Sequence, residues 1–164
     1  MQQGRPPQYG GGGSGRSAQG GAGRQPQQMP RTNVPVQEIA FGSSINPKLY
    51  SDIAERAAKA VAGEQGRRNQ RNRPAQLRRF YDELVALQDK VRGDKGRFDE
   101  HLPFVQMLKA KVAYAKGREK VDEQFEALLN QVVDQAADPD KLKQARLFME
   151  AFMAFYKVHG PGEG

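Results

Sequence analysis

The sequence of 164 residues contains no cysteine and only two histidines. Without cysteine, disulfides, zinc–thiolate sites, iron–sulfur clusters and thiol nucleophiles are all excluded. No apolar run approaches the ~20 residues that a membrane-spanning helix needs, and the N-terminal residues lack the pattern of a secretory signal. These absences predict a soluble protein that stays in the cytoplasm.

Recognisable catalytic motifs are missing as well. His101 and His159 lie in separate blocks and outside any HExxH-type metal spacing. The N-terminal GGGGSG run lacks both the Lys-Ser/Thr and the preceding strand of a phosphate-binding loop. Paired carboxylates at 82–83, 99–100 and 122–123 are expected on solvated helix faces. We therefore expect no metal, no cofactor, no small-molecule substrate and no enzymatic activity.

The N-terminal region differs in composition from the rest of the chain. Residues 1–33 are rich in Gly, Gln and Pro and hold too little apolar material to offset the conformational entropy of folding. We interpret residues 1–45 as a disordered tail and connector, and residues 46–160 as a helical domain. The four arginines of the tail either contact RNA weakly or only keep the protein soluble, and composition leaves both open.

The remaining sequence has the three- and four-residue apolar spacing of α-helices and no alternating strand pattern. The predicted helices span residues 46–63, 74–93, about 102–116, about 121–136 and 138 to about 158. Proline at the second position of the third helix fits because proline is tolerated in a first turn. The sequence thus predicts an all-α protein, a compact bundle of about five helices with a disordered tail.

The whole chain has a net charge of +7, and its positive charge is concentrated in two segments. A predicted flexible linker between the first two helices contains Arg67, Arg68, Arg71 and Arg73. Residues 101–118 carry four cations and no anion, whereas residues 119–164 carry five cations and nine carboxylates. This uneven distribution predicts that one side of the protein faces a polyanion.

Two cations of the third helix fall where the core is expected. On a helical wheel, Phe104, Leu108 and Val112 lie in one apolar arc, and Lys111 and Arg118 fall inside that arc. An unpaired buried charge would be costly there. Three explanations stay open: the side chains reach an edge of the core, they pair with carboxylates, or they contact phosphates. The candidate carboxylates are Glu119, Asp122 and Glu126.

The predicted fifth helix has apolar residues on two opposite faces. One face holds Leu142, Ala145, Met149, Phe152, Met153 and Tyr156, and the other holds Leu147, Phe148, Ala151, Phe155 and Val158. A helix that is apolar all round is either central in its bundle or shared with a partner. Leu147, Phe148 and Phe155 are therefore candidate interface residues.

Three sequence blocks resemble one protein family in the same order. They are QLRRFYDEL at 76–84, LPFVQMLKAKVAYAKGREKV at 102–121 and FMEAFMAFYKVHG at 148–160. The family is the small subunit of the type III-A CRISPR–Cas effector, the Csm complex, and the resemblance covers roughly residues 74–160. It implies a non-catalytic bundle of about five helices that stacks in several copies beside larger Csm backbone subunits. The stack would follow the crRNA and its paired target RNA in antiviral defence.

The resemblance raises the expectation that the basic residues of these blocks contact RNA. The residues carried over by position are Arg78, Arg79, Lys109, Lys111, Lys116 and Arg118. Phe80, Tyr81 and Phe104 all lie on predicted core stripes, so no aromatic platform for stacking bases is expected. Two other functions fit the composition: a generic helical RNA-binding or RNA-chaperone protein, and a helical metal-dependent hydrolase.

Overall fold

The computed structural model describes Gly4, Pro7, Gly10, residues 32–64 and residues 70–162. These parts contain five α-helices and no β-strand, which confirms the all-α prediction. The helices are α1 (Ala54–Ala62), α2 (Pro74–Gly93), α3 (Phe98–Gly117), α4 (Glu123–Gln135) and α5 (Pro139–His159). A π-helical turn, Leu49–Ile53, leads directly into α1. Apart from its last two residues and three isolated positions, the predicted tail 1–33 lies outside the described residues.

Helix α5 is the central element of the bundle. It packs along α1 and α2 and also contacts α4, while α3 packs on the other side of α4 and α2. A chain of aromatic rings joins three of these helices: Phe80 lies 5.5 Å from Phe125, and Phe125 lies 6.3 Å from Phe152. Because α3 contacts only α2 and α4 extensively, one of its faces stays open to solvent.

Helix ends follow the local sequence signals, except at the starts of α1 and α3. The helix predicted from residue 46 begins with the π-helical turn Leu49–Ile53 and is α-helical only from Ala54. Pro74 begins α2, and the carboxylate of Asp138 caps α5 by accepting a hydrogen bond from the Lys141 amide at 2.8 Å. Helix α3, however, begins at Phe98 and not near residue 102, because the buried Phe98 side chain anchors an additional turn. Pro103 therefore lies in the second turn, contrary to the prediction that it occupies the first.

Residues 32–45 pack on the bundle, so the folded part begins well before residue 46. Val34, Ile39 and Phe41 are all buried, and the Phe41 ring lies 6.1 Å from that of Phe148. The Gln144 side chain accepts a hydrogen bond from the Gly42 amide at 2.8 Å and donates one to its carbonyl at 3.0 Å. The predicted connector is thus an integral layer of the domain.

Residues 32–45 cover part of the second apolar face of α5, the face that includes Leu147, Phe148 and Phe155. Phe148 is fully buried beneath this segment, so the prediction that Phe148 forms an intermolecular interface is wrong. Phe155 is partly buried against the core, and Leu147 remains 40% exposed. Among the described helices, none combines the length and apolar character needed to cross a bilayer.

Candidate nucleic-acid interface

Helix α3 is rotated relative to the predicted wheel. Its buried side chains are Phe98, Val105, Leu108 and Val112, while Phe104 is 52% exposed. The core-facing arc is therefore centred near Val105, and Phe104 lies outside it. Lys111 and Arg118 consequently project from the solvent-exposed side of the helix, and the cost of burying them does not arise.

Five residues form a stripe along this exposed side. They are Phe104, Met107, Lys111, Tyr114 and Arg118, spaced three or four positions apart and hence on one face of the helix. Met107 is 48% exposed and Tyr114 is 67% exposed. We call this set the α3 stripe. Phe104 and Met107 make its first part apolar, whereas Lys111, Tyr114 and Arg118 combine an aromatic ring with two cations, a combination suited to contact with a ligand or partner.

The three lysines of α3 are paired with carboxylates. Lys109 contacts Asp134 and Lys116 contacts Glu126, both on α4, and Lys111 contacts Glu83 on α2. Of the carboxylates proposed from the sequence, only Glu126 pairs with an α3 lysine among the described residues. The lysine side chains remain roughly 35–46% exposed. Such surface pairs contribute only about 0–1 kcal/mol each, so a phosphate can compete for the same lysines.

Arg118 makes a different contact. Its guanidinium donates a hydrogen bond to the Tyr114 hydroxyl at 3.2 Å and lies 5.9 Å from the centre of the Tyr114 ring. A guanidinium at this distance from an aromatic ring gains a cation–π attraction. Within residues 32–64 and 70–162, Arg118 has no carboxylate partner.

These residues border a groove between α2 and α3 with a volume of about 380 Å³. We call it the α2–α3 groove. Its lining consists of Gln76, Arg79, Phe80, Glu83, Lys111, Tyr114, Ala115, Arg118 and Lys120. The one carboxylate in this set, Glu83, is already paired with Lys111. Among the described residues, Arg79 and Lys120 have no ion-pair partner, so the groove has a clear excess of positive charge.

The other predicted RNA-contacting arginines lie outside this groove. Arg78 is 3.8 Å from Asp82, and it lines a separate cleft with Arg73 between the start of α2 and the end of α5. Arg71 donates to Glu119 at 2.7 Å, next to the end of α3. Arg67 and Arg68 lie outside the described residues. The structure thus brings Arg79, Lys111 and Arg118 together and separates them from Arg73 and Arg78.

A buried asparagine holds the arginine-rich segment in place. Asn72 is fully buried with a positive φ of 54°, a conformation that asparagine tolerates better than most residues. Its side chain donates to the Val61 carbonyl at 3.1 Å and accepts from the Asp122 amide at 2.9 Å. Its own amide donates to the Lys120 carbonyl at 2.9 Å.

Sequence reasoning missed this role of Asn72. The available signal was an asparagine, a residue type that often adopts left-handed backbone, two positions before the proline that starts α2. The hydrogen bonds of Asn72 fix residues 70–73 against the turn between α3 and α4. As a result, Arg71 and Lys120 lie at the same end of the bundle as the α2–α3 groove.

The described residues therefore define a small all-α bundle protein with a cationic groove on its surface. They contain no cluster of His, Asp and Glu side chains that could hold a metal ion. A family model described as Csm2 Type III-A matches residues 48–162. Since the match spans well over half of the chain, this protein belongs to the Csm2 Type III-A family, the structural small subunit of the type III-A Csm complex. Comparisons with curated proteins and with solved structures find no match.

The family match confirms the resemblance found in the three sequence blocks. It also extends that resemblance toward the N-terminus, from residue 74 to residue 48. Helix α1, the arginine-rich segment and Asn72 consequently belong to the part of the chain that the family model covers.

Proposed function

We propose that this Csm subunit binds the sugar–phosphate backbone of crRNA and target RNA through its α2–α3 groove. One observation carries the proposal: Arg79, Arg118 and Lys120 line one exposed groove without a carboxylate partner in the described chain. Cations that neutralise phosphates release condensed counterions, which drives binding without regard to sequence. Lys111 would join them by exchanging Glu83 for a phosphate.

Cations next to the groove extend the same surface. Lys109 and Lys116 lie on the α4 side of α3, and Arg71 lies beside the turn that follows α3. Each is at least one-third exposed and paired at the surface, so its carboxylate partner can be replaced by a phosphate at little cost. We place Arg73 and Arg78 in a second, weaker contact, since they face a separate cleft.

We further propose that the subunit supplies no catalytic group and acts in the cytoplasm in antiviral defence. Several copies would stack along the crRNA–target duplex beside the larger Csm backbone subunits. Membership in the family of Csm small subunits supports this arrangement and favours it over an independent RNA-binding or RNA-chaperone protein. We propose no membrane contact and no small-molecule substrate for this subunit.

For the contact between copies, we propose the surface around Leu147. Leu147 and Ile45 are both partly exposed, and they line one groove formed by residues 42–50 and the start of α5. Exposed apolar side chains around a groove are typical of protein contact surfaces. Phe155 is a weaker candidate because it is partly buried within its own bundle.

Salt-dependent binding of the purified full chain to mixed-sequence RNA tests the proposal. The variant Arg79→Gln/Lys120→Gln removes two groove cations and should weaken binding. For single-stranded RNA, the slope of log K against log salt should fall by about 0.7 for each lost phosphate contact. The matched control is Lys90→Gln/Arg92→Gln, which removes the same charge from the far end of α2, where both residues are exposed. Equal losses in both variants, or a salt-independent affinity, would contradict the proposal.

A further inference from the structure

Tyr114 is an unusual residue for the middle of a bundle helix. The residue is 67% exposed, although the other tyrosines of the described chain, Tyr50, Tyr81 and Tyr156, are partly or fully buried. Large aromatic side chains normally gain stability by leaving water. The exposure of Tyr114 on a surface rich in cations indicates that the ring serves as a contact surface.

The surroundings of Tyr114 match those of a nucleotide site. Arg118 donates a hydrogen bond to its hydroxyl and lies near its ring, so a cation adjoins the aromatic surface. Lys111 lies one turn away on the same face, and Arg79 and Lys120 border the same groove. Proteins that bind single-stranded nucleic acid combine aromatic rings, on which bases stack, with cations that follow the backbone.

We propose that Tyr114 stacks against an unpaired RNA base in the α2–α3 groove, so that the groove holds a whole nucleotide and not a phosphate alone. This inference rests on the proposed RNA binding. Arg79, Arg118 and Lys120 contact the phosphates on either side. The groove volume of about 380 Å³ lies within the range of small-ligand pockets, about 300–1,000 Å³. Every base has a π-face, so the site selects unstacked nucleotides without selecting a sequence.

The experiment compares two single-stranded RNAs of equal length, one with bases and one abasic, which carry the same number of phosphates. The full chain and the variants Tyr114→Ala and Tyr114→Phe are titrated with each RNA at several salt concentrations. Phe104→Ala is the matched control, because Phe104 is an exposed aromatic of the same helix that lies outside the groove. Circular dichroism checks that each variant is folded, which the exposure of Tyr114 leads us to expect.

We expect Tyr114→Ala to weaken binding of the base-containing RNA by roughly 5- to 150-fold, the usual loss for one stacked base. Its affinity for abasic RNA and its salt slope should stay unchanged, since stacking involves no counterion release. Tyr114→Phe keeps the ring and should retain most of the affinity. Phe104→Ala should behave like the unmodified protein.

Other outcomes overturn the inference in distinguishable ways. If Tyr114→Ala binds both RNAs like the unmodified protein, stacking is excluded while phosphate binding stands. If both RNAs are weakened equally, Tyr114 only positions Arg118. If Phe104→Ala has the same effect, the groove does not define the site. If Tyr114→Ala binds RNA normally but no longer assembles with other Csm subunits, the surface contacts protein. If the unmodified protein binds neither RNA, the proposed function fails as well.

Discussion

The hydroxyl of Tyr156 donates a hydrogen bond of 2.6 Å to the backbone carbonyl of Asn72, and both residues are fully buried. The bond ties α5 to the segment that precedes α2. Burial raises the pKa of Tyr156 well above its ordinary value, so the phenol stays protonated and remains a donor. Through Asn72, the same contact reaches α1 and the turn between α3 and α4.

Replacing Tyr156 by Phe should destabilise the protein by about 1–3 kcal/mol, because the Asn72 carbonyl would be left buried without this donor. Chemical denaturation monitored by circular dichroism measures the change. Tyr114→Phe is the control, since that hydroxyl is at the surface and its loss should stay within about 0.5 kcal/mol. Equal stabilities of the two variants would show that the Tyr156–Asn72 bond contributes nothing measurable.

Two substitutions of Asn72 should separate the effect of backbone strain on stability from the effect of lost hydrogen bonds. Both Asn72→Gly and Asn72→Ala remove the side-chain bonds to Val61 and Asp122, but only alanine is strained at a φ of 54°. Alanine should therefore be less stable than glycine by about 1–2 kcal/mol. Denaturation midpoints of both variants test this, and an alanine variant as stable as the glycine variant would argue against a strained backbone there.

The contact between Glu38 and Arg56 should make stability depend on pH. The Arg56 guanidinium bonds to both Glu38 oxygens, at 2.7 and 2.6 Å, and lowers the pKa of Glu38 below its ordinary value of 4.5. A carboxyl whose folded-state pKa is lowered stabilises the protein above its unfolded pKa, and that contribution disappears as the pH falls through the folded value.

We therefore expect Glu38→Gln to lose stability at neutral pH and to show a shallower decline on acidification below about pH 4.5. Thermal melts across the acidic range provide the measurement. Glu64→Gln is the control, because Glu64 is exposed and has no ion-pair partner among residues 32–64 and 70–162. Identical pH profiles for the two variants would dismiss the role of Glu38.

Two neighbouring positions of α5 should respond differently to a buried charge. Phe148→Glu places a carboxylate in the apolar core and should unfold the protein, whereas Leu147→Glu alters a partly exposed position and should leave it folded. If the Leu147 surface joins copies, the folded Leu147→Glu variant should no longer assemble into the Csm complex. Circular dichroism and co-purification with other Csm subunits distinguish these results, with Lys157→Glu as an exposed control on the same helix.

Truncations should locate the N-terminal edge of the folded domain. Removal of residues 1–31 should leave the melting temperature nearly unchanged, since their composition predicts little burial. Removal of residues 1–45 should lower the free energy of unfolding by several kcal/mol, because the side chains of Val34, Ile39 and Phe41 are buried. Burial of each contributes about 1.5–3 kcal/mol, from which the entropy of ordering the segment is deducted. Equal melting temperatures for the two truncations would contradict the packing of this segment.

Local chemistry was sufficient to predict the presence of the helices and several of their ends, but not the starts of α1 and α3. The proline at 74, the glycine at 93 and the Asp138-Pro139 pair act within one or two turns, and the structure has helix ends at these positions. The three motif blocks likewise identified the family, because a run of adjacent residues specifies it. Apolar periodicity also showed which residues of α2 and α4 share a buried face.

Only the tertiary structure determines which helix faces are covered and which segments cover them. A helical wheel places Phe104 beside Leu108, but it does not show that α4 and α2 cover the helix around Val105 and leave Phe104 in water. Phe148 looked like an interface residue because the segment that covers it is more than 100 residues away in sequence. The partners of the α3 lysines and of Asn72 come from other helices and turns, so their roles depend on long-range packing that no local pattern records.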